Sequence, residues 1–204
     1  MIRLTGLARF VFLFGCLVPG GGASAKEDLR GPDAFTSIPD RQKRAEALFT
    51  EMGKVLQHPR CLNCHPVDDM PRQGDAMQLH NPPVIRGDAD FGAAAMRCNT
   101  CHGTENVAYT VGRGSVPGHE PWLLAPKEMG WIGLSLAAIC EQIKDPARNG
   151  GKTLSELVEH NAEDGLVGWG WEPGEGREPA PGSQEIFGDL TKAWVAAGAG
   201  CPSN

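Results

Sequence analysis

Seven cysteines occur in the 204 residues, and four of them fall in two near copies of one unit, Arg60-Cys61-Leu62-Asn63-Cys64-His65 and Arg97-Cys98-Asn99-Thr100-Cys101-His102. Two thiols separated by two residues and followed at once by an imidazole form the attachment pattern of c-type haem. Each thiol S–H adds across one vinyl C=C: sulfur bonds one vinyl carbon, the proton goes to the other, and nothing leaves. The two-residue spacer sets the sulfurs at the separation of the two vinyls, and the histidine then lies beneath the ring with a nitrogen toward the iron. On this reading Cys61, Cys64, Cys98 and Cys101 bind two covalently attached haem c groups, and His65 and His102 ligate their irons. Two zinc knuckles or two disulfides also account for four cysteines, but neither gives a reason for a histidine after each second one.

An iron with both axial positions filled by protein passes electrons, whereas an open position binds small ligands such as oxygen or carbon monoxide. The remaining candidates after residue 25 are His58, His80, His119 and His160, with Met52, Met70, Met77, Met96 and Met129. His80, in LHNPPVIRG, is the first choice, because neither helix packing nor a core position explains it. Met129 follows, set between Trp122 and Trp131 in an apolar patch, where a core-filling methionine is the alternative. His160 ends a short helix, where a charged imidazole answering the helix dipole is the alternative. His119 reads as a turn residue after Pro117-Gly118, and Met52 as part of a buried stripe. Arg60, Arg97 and Arg177 are candidates to pair with haem propionates, with ordinary solvated arginines as the alternative.

The elements that must hold these residues are mostly helical. Ser37 or Asp40 caps a helix from about Arg41 to Gln57, whose Ala45, Leu48, Phe49, Met52, Val55 and Leu56 share one face. A second runs from Ser135 to Lys144 and stops at Asp145-Pro146. Thr153-Leu154-Ser155-Glu156 is a capping box that opens a short helix to about His160. Ser183 opens the last, with Ile186, Phe187, Leu190 and Trp194 along a stripe and Gly198 and Gly200 closing it. Residues 27–37 read as an unstructured lead-in. From Cys61 to Pro126 there is no sustained periodicity and no convincing strand; so long a loop implies a ligand that organises it. Residues 165–182 form a Gly/Pro-rich loop holding Trp169, Trp171 and Arg177. Cys140 and Cys201 remain as a pair, expected as a disulfide in an exported protein, with a buried thiol at Cys140 as the alternative.

Residues 1–25 have the layout of a secretory signal peptide: Arg3 and Arg9 around a basic start, an apolar run from Phe10 to Val18, and Ala23-Ser24-Ala25 as a cleavage site. Lipoprotein processing at Cys16 is the lesser alternative, since Phe14 fits it poorly. No later segment has the run of about 18 apolar residues that a membrane helix needs. Without Arg3 and Arg9 the chain carries 17 basic and 25 acidic residues, a formal −8, which argues against nucleic acid as a partner. With 27 Gly and 16 Pro the chain is poor in core-forming runs, so apolar mass supplied by a cofactor would help it fold.

Through Cys61–His65 and Cys98–His102 the chain resembles the c-type cytochromes, and that resemblance covers those two segments only. It implies covalent haem and proximal ligation by His65 and His102. MGWIGLSLAAICEQIKDPARNGG (129–151) and LVGWGWEPGEGREPAPG (166–182) are similar to the small exported di-haem proteins labelled as isoquinoline 1-oxidoreductase subunits. That similarity implies a role in taking electrons from a molybdenum hydroxylase. The expectation is one mostly α, loop-rich, di-haem cytochrome c-like domain over residues 26–204. It would be periplasmic, a carrier of single electrons between redox proteins rather than an enzyme, docking its acidic surface to basic patches. The rival expectations are a small di-haem peroxidase or oxidase and a gas sensor or haem-bearing subunit, each with one iron position open; in the last, the tryptophan loop would dock a partner.

Overall fold

The structure is a computed structural model in which residues 28–203 are described. The expected signal peptide and Cys16 lie outside them. Four longer helices and two single-turn ones are joined by irregular chain, so the fold is mostly α and rich in loops.

Helix α1, Arg41–Leu56, starts on Asp40, whose carboxylate accepts the Lys43 amide; Ser37 takes no part in that cap. The stripe foreseen from Ala45 to Leu56 is buried, with Phe49 and Val55 fully enclosed. Pro59 disfavours helix at the residue before it. His58 is accordingly extended, α1 ends, and Pro59 opens the single turn α2, Pro59–Leu62, which carries Arg60 and Cys61.

From there to Pro126 the chain holds three antiparallel hairpins of two-residue strands: β1 Arg72–Gln73 with β2 Gln78–Leu79, β3 Gly92–Ala93 with β4 Met96–Arg97, and β5 Val107–Ala108 with β6 Ser115–Val116. These strands correct the expectation of none. Two residues are too few to display a period of two, so they leave no sequence signal.

Helix α3, Leu136–Lys144, is capped by Ser135. Helix α4, Leu154–Glu163, has the foreseen capping box, with Thr153 and Glu156 each accepting from the other's backbone, and runs three residues past His160. Asp164 then caps a further single turn, α5 Gly165–Gly168, inside what reads as loop. Helix α6, Gln184–Ala196, starts at Ser183 and packs on α1 and α4. Phe187, Leu190 and Trp194 are buried in the common core, the Trp194 ring lying 5.1 Å from Phe49. Each such side chain contributes roughly 1.5–3 kcal/mol by leaving water.

The lead-in is ordered, contrary to expectation. A 3₁₀ turn at Pro32–Phe35 buries Phe35, Leu29 is buried beside it, and Arg30 ion-pairs with the enclosed Glu51. Cys140 and Cys201 form the disulfide that ties α3 to the C-terminal end, their Cα atoms 5.7 Å apart. No helix among the described residues is long and apolar enough to cross a membrane.

Candidate functional site

The two Cys-x-x-Cys-His units are held by different means and end in the same arrangement. In the first, α2 presents Cys61, and the His65 amide closes back on the Cys61 carbonyl. In the second, the β3–β4 hairpin delivers Cys98, whose amide bonds Phe91, and a 3₁₀ turn over Cys98–Thr100 follows. His65 places Nδ1 2.7 Å from the Met129 carbonyl, and His102 places Nδ1 2.7 Å from the Pro117 carbonyl. A carbonyl only accepts, so Nδ1 carries the proton in both rings and Nε2 keeps its lone pair for a metal. The ring of His65 stacks on Trp131 at 3.5 Å, and that of His102 on Trp122 at 4.8 Å.

Each carbonyl is followed by a glycine that permits close approach. A Cβ on Gly130 would lie 2.7 Å from the Val67 Cα, and one on Gly118 would lie 2.1 Å from the Glu105 carbonyl oxygen. Burial pulls His65 down to about 4 against the opposing Met129 hydrogen bond, and pulls His102 down against that of Pro117. Both rings are therefore neutral near pH 7, the form that ligates metal. Burial also pushes the Cys61 thiol up to about 12 and the Cys64 thiol to about 11, and raises Cys98.

Each unit opens into its own cavity. The first, about 530 Å³, takes in Cys61, Cys64 and His65 with Met129, Trp131 and His160. The second, about 310 Å³, takes in Cys98, Cys101 and His102 with His80, Trp122 and Arg177. Both are of a size that holds a small-molecule cofactor. Cys64, Arg60 and Trp169 line both, so the two cavities adjoin across a shared wall.

The candidate sixth ligands are distributed between them. His80 is half-buried, 5.9 Å from His102 between ring centroids, and its Nδ1 donates to the Pro82 carbonyl, which leaves Nε2 free. Two imidazoles on opposite sides of one metal, bonded at about 2.0–2.1 Å each, have centroids about 6 Å apart. His160 lies in the first cavity, near enough to His65 to lower it electrostatically. Its own pKa is lowered by burial against the attraction of Asp164, whose carboxylate meets Nδ1 at 3.3 Å. Met129 is also in the wall of that cavity, but its carbonyl holds His65 at the nitrogen that faces away from any metal.

His119, which reads as a turn residue, is also brought to the first site. It lines the first cavity, and its Nδ1 donates to the Pro121 carbonyl just as His80 donates to Pro82. The repeated His-x-Pro at 80–82 and 119–121 was the available signal. Its Nε2, however, is the ring atom nearest Gly165, where a Cβ would stand only 2.6 Å away. His58 instead accepts the Arg60 amide, and Met52 is core, as foreseen.

No protein-family model, curated protein or solved structure matches the chain.

The donor set suits an anionic porphyrin. Among the described residues, the buried side-chain polar atoms without a hydrogen-bond partner are Arg60 Nε, Asn63 Oδ1 and Arg86 Nε, and all three residues line the second cavity. Arg60 pairs with Asp75 and Arg86 with Asp90, and the Nε of each is left as a donor, at a cost of about 1–3 kcal/mol when unanswered, that an acceptor in this cavity such as a propionate could take. Arg97 lines the same cavity but is exposed. The four motif cysteines are free thiols. Among the described residues no group of three or more His, Cys, Asp or Glu stands in an arrangement that could hold a metal ion by itself. The two tryptophans of the 165–182 loop are engaged inward: Trp169 donates to Asn106 and meets Trp122 edge-on, while Trp171 donates to the Pro181 carbonyl and packs on Phe187.

Proposed function

We propose that the chain is an exported, periplasmic di-haem c-type cytochrome with a cytochrome c-like fold, relaying single electrons between redox proteins. One observation carries this reading: two adjoining cavities each contain a Cys-x-x-Cys-His unit whose histidine is fixed, by a carbonyl on Nδ1 and a tryptophan against its face, with Nε2 free. Bound there, haem supplies an iron that takes up and gives back one electron without making or breaking a bond. The chain does the rest. Cys61 and Cys64 anchor one macrocycle and Cys98 and Cys101 the other. The Met129 and Pro117 carbonyls fix the ligating tautomer and raise the basicity of His65 and His102. The tryptophans and core residues keep water from the irons, and the shared wall at Cys64 keeps the two centres close.

His80 completes the second site and His160 the first. Asp164 orients His160 as a carboxylate orients a metal-bound imidazole, and the Nε2 of His119 is turned against Gly165. With His65 and His160 at one iron and His102 and His80 at the other, both would have low potentials and neither would keep an open coordination position. The similarity of residues 129–151 and 166–182 to isoquinoline 1-oxidoreductase subunits makes a molybdenum hydroxylase the proposed electron donor. The ligand assignment is tested by His80→Ala and His160→Ala. Each is expected to let one of two haems bind carbon monoxide, while His119→Ala leaves both unreactive; a His119 variant that opens the first haem would reverse the assignment there.

A further inference from the structure

Arg60 belongs to one attachment unit by sequence and to both sites by position. It immediately precedes Cys61, its side chain is 1% exposed, and it lines both cavities. Its backbone is pinned by donation of the amide to His58 Nδ1. One terminal nitrogen meets Asp75 at 2.6 Å, and Nε has no hydrogen-bond partner. A guanidinium is always charged and presents its donors in a planar fork, so this one is incompletely answered by a carboxylate whose own side chain is 51% exposed.

Arg177 stands in the wall of the second cavity, held by the Ser115 hydroxyl at 2.7 Å and the Pro173 carbonyl at 3.1 Å. Arg60 and Arg177 share the wall of the second cavity, and burial, then the positive charge of Arg60, lowers the pKa of Arg177. A haem has its vinyl-derived thioethers on one edge and its two propionates on the opposite edge. A residue next to Cys61 therefore sits at the wrong end of its own haem for a propionate, but it faces the neighbouring cavity. Resting on the di-haem reading, we propose that Arg60, with Arg177, clamps a propionate of the haem attached at Cys98 and Cys101. Arg60 is then a positioning residue that crosses between the sites. Its charge favours the ferrous form of the second haem most, and of the first haem less.

Arg60→Gln and Arg60→Lys, made in the full exported chain, test this. Pyridine haemochrome analysis first gives the haem count; a wild type without two haems would refute the di-haem reading itself and not this refinement. Spectroelectrochemical titration then gives two midpoint potentials, with His80→Met marking the one that belongs to the second haem. The expected result is a downward shift of both midpoints in Arg60→Gln, larger for the second haem, with Arg60→Lys recovering most of it. Arg60→Gln holding two haems with an unmoved second midpoint would overturn the proposal. If Arg60→Gln fails to hold haem, Arg60→Lys decides. Loss of the planar fork should move the propionate bending band of the second haem in resonance Raman spectra, and an unmoved band would overturn the clamp.

Discussion

The two attachment units share a pentapeptide pattern and little else in their surroundings. The first is built into the core: Leu62 is buried, Cys61 packs on the main cluster, and Trp131 behind His65 is 7% exposed. The second is carried by a hairpin and a 3₁₀ turn, Cys101 is exposed, and His102 stacks more loosely on Trp122. The same ligands in a dry setting and in a wetter one acquire different potentials, since burial and solvent access tune an iron as much as its axial residues do. On the proposed di-haem reading, the first unit would hold a structural haem, on which the fold depends, and the second an accessible one, through which electrons would enter or leave.

The largest expected effect breaks that comparison directly. Cys98→Ala with Cys101→Ala should yield a folded chain with one haem in place of two. Cys61→Ala with Cys64→Ala should lower stability far more, because the first cavity, about 530 Å³, is walled by core residues such as Leu56, Trp131 and Phe187 that would lose the apolar partner the haem supplies. Haem-to-protein ratio and thermal unfolding by circular dichroism check both; equal stability of the two variants would erase the distinction.

Reduction of the Cys140–Cys201 bond comes next. It closes a loop of 61 residues, worth about 4 kcal/mol by chain entropy. Its helix also supplies Gln142 to the Trp131 indole behind His65. Chemical denaturation with and without reductant should therefore show a loss of that size, with the first haem band perturbed before the second. Simultaneous perturbation would place the disulfide's influence on the whole fold.

A smaller effect concerns Glu51, in the helix behind the first unit. Burial raises its pKa, but hydrogen bonds and charge from Arg30 and Lys54 outweigh this and hold it below the usual value of 4.5. A depressed folded pKa contributes stability that is present above the unfolded value and is lost as pH falls through the folded one. Glu51→Gln should cost about 1–3 kcal/mol at neutral pH and flatten the acid side of the stability curve below about pH 4.5. An unchanged acid slope would remove Glu51 from the account.

The same contrast explains what could be read from sequence. The helices of the core were legible because Asp40, Ser135, Thr153 and Ser183 announce their starts and apolar residues repeat along a face. The thiols and the two following histidines were legible because their spacing is itself the chemistry. The region around the second unit was not, because two-residue strands have no period. The pairing of His65 with Trp131 and of His102 with Trp122 was hidden, since it is made by loop closure across 66 and 20 residues of irregular chain. Residues 28–35 misled by their Gly-Pro punctuation, which masked Leu29 and Phe35 docking into the core. The place of His119 in the wall of the first cavity was not legible either, because chain folding brings it there.

The most direct test is the absorption spectrum of the matured protein, oxidised and reduced, with and without carbon monoxide, alongside a haem count. The account predicts two covalently bound haems per chain, both low-spin and both indifferent to carbon monoxide. A chain without covalent haem would contradict the central claim. Two haems with one binding carbon monoxide would contradict the electron-relay reading and favour a small di-haem enzyme or a gas sensor.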